Sequence, residues 1–400
     1  MRAVFINHCH PATPHVCATR MREFATALSK RGHEIILFTE TLDSSPTREP
    51  VQKTWARLRQ HSFDEPLHMA AAPAGFPLLK LLRQGRLPWG LRQLIIFWYF
   101  WRHQGVFTDW RNSSRPYLQL IADEFKPNII WSTFGGSDCW NIAKDLSGMA
   151  GCPWVADIKD IWDVFIPSPF KQSLARSYKD ACALTTFSDF HRTRSTRFFP
   201  MEKFTLYSGL DTRVMASTPI QDSDVFQISL IGSVYNRTHL ETALQTIETW
   251  TVAEALTGKR VKLVYAGTAK TEVQSILDRL NPSFDVALQS YLKREDYYSL
   301  LKSSDVNMYI RSEKAFHHKV FELMAARRAV ICYPAETDEV MREAKKRRSP
   351  YYSCESAEDI LKALRAASVE QEPVSDENIF QLDWKARAEI LERILQSHIL

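Results

Sequence analysis

Four hundred residues exceed the ~100–200 of one ordinary domain, so two domains are expected. With 45% hydrophobic and 24% charged residues the chain has a globular composition, which excludes a disordered or fibrous protein. The net charge of +5 is mild, and no apolar run approaches the ~20 residues needed to span a bilayer. Seven cysteines lie scattered without a Cys-x-x-Cys pair, which fits a reducing compartment, so a cytoplasmic protein is expected. The start, MRAVFINHCHPATP, turns polar after one short run and reads as a strand rather than a secretory signal.

Arg2–Asn7 is rich in β formers and is predicted to be a buried strand. A Pro-containing loop, Cys9 to Pro14, leads to a helix with apolar positions Met21, Phe24, Ala25 and Leu28. Gly32 suits the left-handed residue that ends such a helix. A second strand follows over Glu34–Thr39. Strand, helix and strand within about forty residues make a βαβ unit and imply a parallel sheet. The pattern resumes with strands at Asn128–Thr133, Trp154–Ile158 and Ala183–Phe187 and a helix near Asn141–Leu146.

Residues 75–115 differ in character. Leu78, Leu79, Leu81, Leu82 and Leu87 alternate with Lys80, Arg83, Arg86 and Arg92, and an aromatic run, Leu94 to Trp101, ends at Arg102 and His103. Two readings stand: the buried side of a helical hairpin, or a helix lying in the headgroup plane of an anionic membrane.

A Ser/Thr/Asp/Pro-rich stretch, 212–224, reads as a linker. It divides a first domain, 1–212, from a second, 225–380, with a last amphipathic helix in 381–400 that is free to pack back on the first domain. The second domain repeats the α/β pattern: strands at Phe226–Gly232, Val261–Gly267, near Val286, at Ser304–Ile310 and at Ala329–Tyr333, with helices near Leu240–Trp250, Glu272–Leu280, Arg294–Lys302 and Lys319–Ala326. Two such sheets are expected to present a ligand cleft at their carboxyl edges, where helix N-termini and loop amides converge.

The chemistry concentrates between Tyr309 and Ile331: strand, polar loop, then a helix whose first turns carry Lys319 and Glu322. An ammonium and loop amides suit a diphosphate, and a carboxylate there can accept hydrogen bonds from two ribose hydroxyls. An early glutamate is also an ordinary helix-start residue. Other signals are weaker. His8, Cys9, His10, His15 and Cys17 crowd one loop but lack the paired spacing of a zinc site, and a packed loop is expected. The basic run Arg342–Arg348 has no nucleic-acid module beside it and reads as a solvated face. No P-loop, Gly-x-Gly-x-x-Gly or Gly-x-Ser-x-Gly signature is present.

The arrangement resembles the family 4 glycosyltransferases of the GT-B fold. Phe316, Glu322 and the turn Ala326–Val330 match that family's donor loop, although Lys314 stands in place of its first glutamate and His317 in place of a glycine. His317-His318-Lys319-Val320-Phe321-Glu322 is similar to the subgroup that builds bacterial surface polysaccharides, as is Asp157-Ile158-Lys159-Asp160-Ile161-Trp162. Arg31–Ile35, Tyr207–Asp211, Phe226–Gly232 with Arg237, Val264–Gly267 and Ser303–Val306 resemble family segments in the same order.

The resemblance implies two Rossmann-like domains and transfer of a sugar from a UDP- or GDP-sugar to a glycan or polyprenyl-linked acceptor. Retention of configuration is implied, without a bound metal or other cofactor. It assigns Gly232, Ser233, Arg237, Phe316, His317, His318 and Lys319 to the donor, and Glu322 to its ribose. His10, Lys159 and Asp160 are the candidates to contact the reacting sugar or the acceptor hydroxyl, although the family's paired glycines are missing from the first loop. A non-catalytic nucleotide-sugar or glycan binder and a sugar-nucleotide epimerase are the alternatives.

Overall fold

Runs of β-branched and aromatic residues become parallel strands in both halves of the chain. The structure is a computed structural model that describes residues 1–42, 50–211, 224–234, 236–254, 258–311, 316–317, 319–369 and 379–399. It divides into two units, Met1–Gly209 with Trp384–Leu400, and Leu210–Asp383. The linker expected at 212–224 lies outside the described residues except for Asp224.

In the first unit the strands are β1 (Arg2–Asn7), β2 (Glu34–Glu40), β3 (Leu67–Ala71), β4 (Ile129–Thr133), β5 (Trp154–Ile158), β6 (Ala183–Thr186) and β7 (Glu202–Thr205). They form one sheet in the order β3-β2-β1-β4-β5-β6-β7, and every neighbouring pair is parallel. The helices are α1 (Val16–Ser29), α2 (Val51–Gln60), α3 (Pro77–Arg83), α4 (Trp89–His103), α5 (Thr108–Leu120), α6 (Ser137–Ala150), α7 (Lys171–Ser177) and α8 (Asp189–Ser195). Alternation along β1 sends Val4 and Ile6 into one core layer and Ala3 and Phe5 into the opposite one, as a sheet covered on both faces requires. Helix Trp384–Gln396 completes the second layer through Ala388, Leu391 and Leu395. Arg31 and His33 tie it down through Glu389 and Glu392 at 2.6–2.9 Å.

The second unit has β8 (Val225–Ile231), β9 (Arg260–Ala266), β10 (Asp285–Gln289), β11 (Val306–Ile310), β12 (Ala329–Tyr333) and β13 (Tyr351–Ser353), in the order β10-β9-β8-β11-β12-β13 and again all parallel. In each sheet the direction of winding reverses once, between β1 and β4 and between β8 and β11. Loops on either side of such a reversal part at the carboxyl edge and leave a natural binding site.

The 75–115 region is helical. Leu79, Leu82 and Tyr99 close α3 onto α4, while Phe100 and Trp110 enter the main core. Arg83 holds the bend through Asp109 at 2.5 Å and Glu40 at 3.3 Å. No helix among the described residues is long and apolar enough to cross a membrane.

Candidate functional site

At the β8/β11 reversal, Gly232 follows β8 in the left-handed region, with φ of +98°. A Cβ there would stand 3.2 Å from the Lys319 Nζ, so the glycine leaves room for that ammonium. Gly267, after β9, is equally constrained, since its Cβ would meet the Gly232 carbonyl oxygen at 2.2 Å. The Tyr265 hydroxyl donates to that oxygen at 3.0 Å and accepts from the Ala269 amide at 2.9 Å, fixing the turn.

Lys319 begins helix Lys319–Ala325 and lies 4.4 Å from the centre of the Tyr309 ring. It makes no ion pair among the described residues, and burial lowers its pKa against the raising influence of Cys332 and Glu336. A desolvated cation without an ion pair among the described residues gains stability when an anion reaches it.

One turn further, Glu322 is pushed up to about 7 by burial. Arg294 and hydrogen bonds from Tyr297 and Tyr298 act in the opposite direction, and Asp211 adds repulsion. The carboxyl is therefore poised between its two protonation states near neutrality, beside hydroxyl donors.

The other donor candidates divide. Ser233 Oγ lies 3.0 Å from Thr268 Oγ1. Arg237 is held at an exposed helix start by Glu241 at 3.2 Å and Ser275 at 3.4 Å, whereas Lys319 faces Gly232. Phe316 is buried against Phe321, with ring centres 5.2 Å apart, and so serves packing. The His317 carbonyl accepts from the Val320 amide and starts the helix. Lys314 and His318 lie outside the described residues.

At the β1/β4 reversal the structure gathers Lys159 and Asp160 with His8. Lys159 and Asp160 leave the end of β5 with Nζ and Oδ2 3.6 Å apart. The His8 ring fills the space above Gly135, where a Cβ would be 1.6 Å from its Nδ1. Burial lowers His8 to about 4, helped by His15 and Lys159 and opposed by Asp160. His191, within electrostatic reach of the same pair, is also lowered to about 4 by burial, with Asp160 opposing and Lys159 and Arg194 assisting. Both imidazoles are therefore neutral at neutral pH. His10 is not gathered with them: its ring packs edge-on to His68, centres 4.5 Å apart, and burial alone lowers its pKa.

Sequence reasoning placed His8 in the crowded first loop but singled out His10 there, and it missed His191 and Gly135. For Gly135 the signal was the pair Gly135-Gly136, one residue after the strand predicted at Asn128–Thr133. Asp157 belongs to the scaffold beneath this site. It pairs with buried Arg20 at 3.1 Å and accepts from Thr133 and Thr185 at 2.7 Å, tying α1 to the ends of β4, β5 and β6. In the crowded first loop Cys9 Sγ lies 3.1 Å from His8 Nε2 and 3.6 Å from His15 Nδ1. Cys9 donates to Cys17, which raises its own pKa and lowers that of Cys17. Among the described residues no group of three or more His, Cys, Asp or Glu side chains is placed to hold a metal ion.

No protein-family model matches the chain, and no curated protein matches it. Solved structures do. HepE of Anabaena, solved in complex with UDP-glucose, is 12% identical with a TM-score of 0.58, covering 99% of this chain and 100% of its own. Sucrose-phosphate synthase of Thermosynechococcus elongatus is 12% identical with a TM-score of 0.64, covering 99% and 98%. UDP-GlcNAc 2-epimerase of Methanocaldococcus jannaschii is 10% identical with a TM-score of 0.54, covering 99% and 100%. The fold is GT-B. In GT-B terms both winding reversals fall at carboxyl sheet edges, one in each Rossmann-like unit, and each carries a glycine shaped around a nitrogen-bearing side chain.

Proposed function

We propose that the chain is a retaining glycosyltransferase that moves a sugar from a UDP- or GDP-sugar to a glycan or polyprenyl-linked acceptor in cell-surface polysaccharide synthesis in the cytoplasm. The observation that carries this reading is the Lys319 ammonium, desolvated, without an ion pair among the described residues, and facing the Gly232 turn. A diphosphate is the ligand that compensates such a cation, and it develops further charge as it leaves. Glu322, as the carboxylate, accepts from the ribose hydroxyls. Lys159, Asp160 and neutral His8 of the first unit are assigned to the sugar and acceptor hydroxyls. Two of the proteins that share the fold are, by name or bound ligand, associated with UDP-sugars.

In the reaction the bond from the anomeric carbon to the phosphate oxygen breaks and one to the acceptor oxygen forms on the same face. The acceptor proton passes to the departing phosphate. Lys319 stabilises that charge, so the reading requires no resident metal or other cofactor. Family 4 and its polysaccharide subgroup remain the frame suggested by the His317–Glu322 and Asp157–Trp162 motifs.

The test is a panel of UDP- and GDP-sugars assayed for release of free diphosphate with glycan and polyprenyl-phosphate acceptors. Acceptor-dependent release that disappears in K319A and E322A is the expected result. Conversion of the donor without an acceptor would identify an epimerase, and binding without turnover a non-catalytic binder. Unchanged donor affinity in both variants overturns the assignment.

A further inference from the structure

The functional reading leaves one surface unused. The inner positions of α3 and α4 are buried, yet their outer positions are large and apolar. Trp89 is 78% exposed, Leu94 69% and Trp101 67%, with Phe76, Leu78, Leu81, Leu91, Phe97 and Trp98 also exposed. Leu91, Leu94, Trp98 and Trp101 recur at spacings of three and four, so they form one stripe along α4, opposite buried Tyr99 and Phe100. Monomeric proteins rarely display such a contiguous apolar face without a use for it.

Charge distinguishes the occupants. Between Glu65 and Asp109 the sequence holds no carboxylate, while Lys80, Arg86, Arg92 and Arg102 are exposed and none has a carboxylate partner among the described residues. Arg83 is excluded from this set because Asp109 and Glu40 neutralise it. Burial lowers the pKa of His103, with Arg102 and Arg111 acting the same way. A second copy of the face would bring like charges together. A bilayer with anionic headgroups accepts both components: tryptophan and leucine enter the acyl boundary, and long basic side chains reach back to phosphate.

We propose that the outer face of α3 and α4 is a membrane-docking surface for anionic lipid, with α4 lying in the headgroup plane. This does not depend on the sugar-transfer reading, since it rests on a different surface and is read without a donor.

The experiment is flotation of the full chain with vesicles of phosphatidylcholine alone and of equimolar phosphatidylcholine and phosphatidylglycerol. Flotation with the anionic vesicles only, weakened by added salt, is expected. The R92Q/R102Q variant should partition about thirtyfold less, about 1 kcal/mol per cation converted at 1.4 kcal/mol per decade. L94S/W101S should partition about tenfold less, with an unchanged circular dichroism melt because both side chains are exposed. The salt dependence of the unaltered chain tests the proposal without any variant. Absence of flotation, or equal flotation with both vesicles, overturns it. So does a concentration-dependent dimer without lipid that L94S/W101S abolishes, which would make the face a self-interface.

Discussion

At the β8/β11 edge a glycine makes room for an ammonium, and at the β1/β4 edge a glycine makes room for an imidazole. The topology is the same in both sheets, with a reversal that parts two loops and a residue without Cβ on one side of the gap. The electrostatics differ. Lys319 is desolvated against the Tyr309 ring and makes no ion pair among the described residues, so that edge suits an anion. His8 and His191 are neutral and lie within electrostatic reach of a Lys159–Asp160 pair that already balances its own charge, so the other edge suits hydroxyl groups. One architecture thus yields a charge-compensating site and a hydrogen-bonding site, according to which side chains face the gap.

The largest expected effect separates the two edges directly. Lys319→Met should weaken nucleotide-sugar binding by about 2–5 kcal/mol, roughly 30- to 4,000-fold, in calorimetric titration. It should leave the melting temperature of the unliganded protein equal or higher, because an uncompensated desolvated charge is removed. A large loss of stability would mean that the ammonium is structural.

Gly135→Ala should act only on the first edge. Its Cβ must displace the His8 ring, at a cost of about 1–3 kcal/mol of stability. Turnover should fall while donor affinity stays within about twofold. Equal losses of binding and turnover would end the division of labour. Gly232→Ala is the reciprocal change: positive φ strains alanine by about 1–2 kcal/mol and the new methyl crowds Lys319, so donor affinity should fall about tenfold.

Glu322 makes a pH-dependent prediction. Its folded-state pKa of about 7 lies above the ordinary 4.5, so its stabilising contribution is present in full below pH 4.5 and lost as pH rises through 7. Glu322→Gln should therefore raise the melting temperature by roughly 3 °C at about pH 8 and leave it unchanged below about pH 4. If Glu322 accepts from the ribose as proposed, donor binding uses the ionised form, so affinity should be level above about pH 8 and fall towards about tenfold per unit below 7. The smallest effect belongs to Arg237→Ala, expected below about threefold on donor affinity because Glu241 already holds the guanidinium. A larger effect would move Arg237 into the anion site.

Much of the fold was legible in the sequence because parallel strands buried on both faces write continuous apolar runs, as Arg2–Asn7 and Val306–Ile310 do. The strands it missed, β3, β7 and β13, all lie at sheet edges, and an edge strand needs less of that signature. Lys319 and Glu322 could be picked out as a unit because they share one helical turn. His8 could not be chosen over His10, since what distinguishes them is Gly135 on one side and His68 on the other, both distant in the chain.

Local order decided the rest of what was readable: alternation of strand and helix determined two α/β units, and i, i+3 spacing determined which acid accompanies which cation. Only tertiary structure decided which side chains meet across each winding reversal, that Asp157 belongs to the scaffold, and that the outer stripe of α4 stays uncovered. The reason is physical: periodicity reports which face of an element is buried, while the partner on that face is set by strand order and loop closure between residues far apart in the chain.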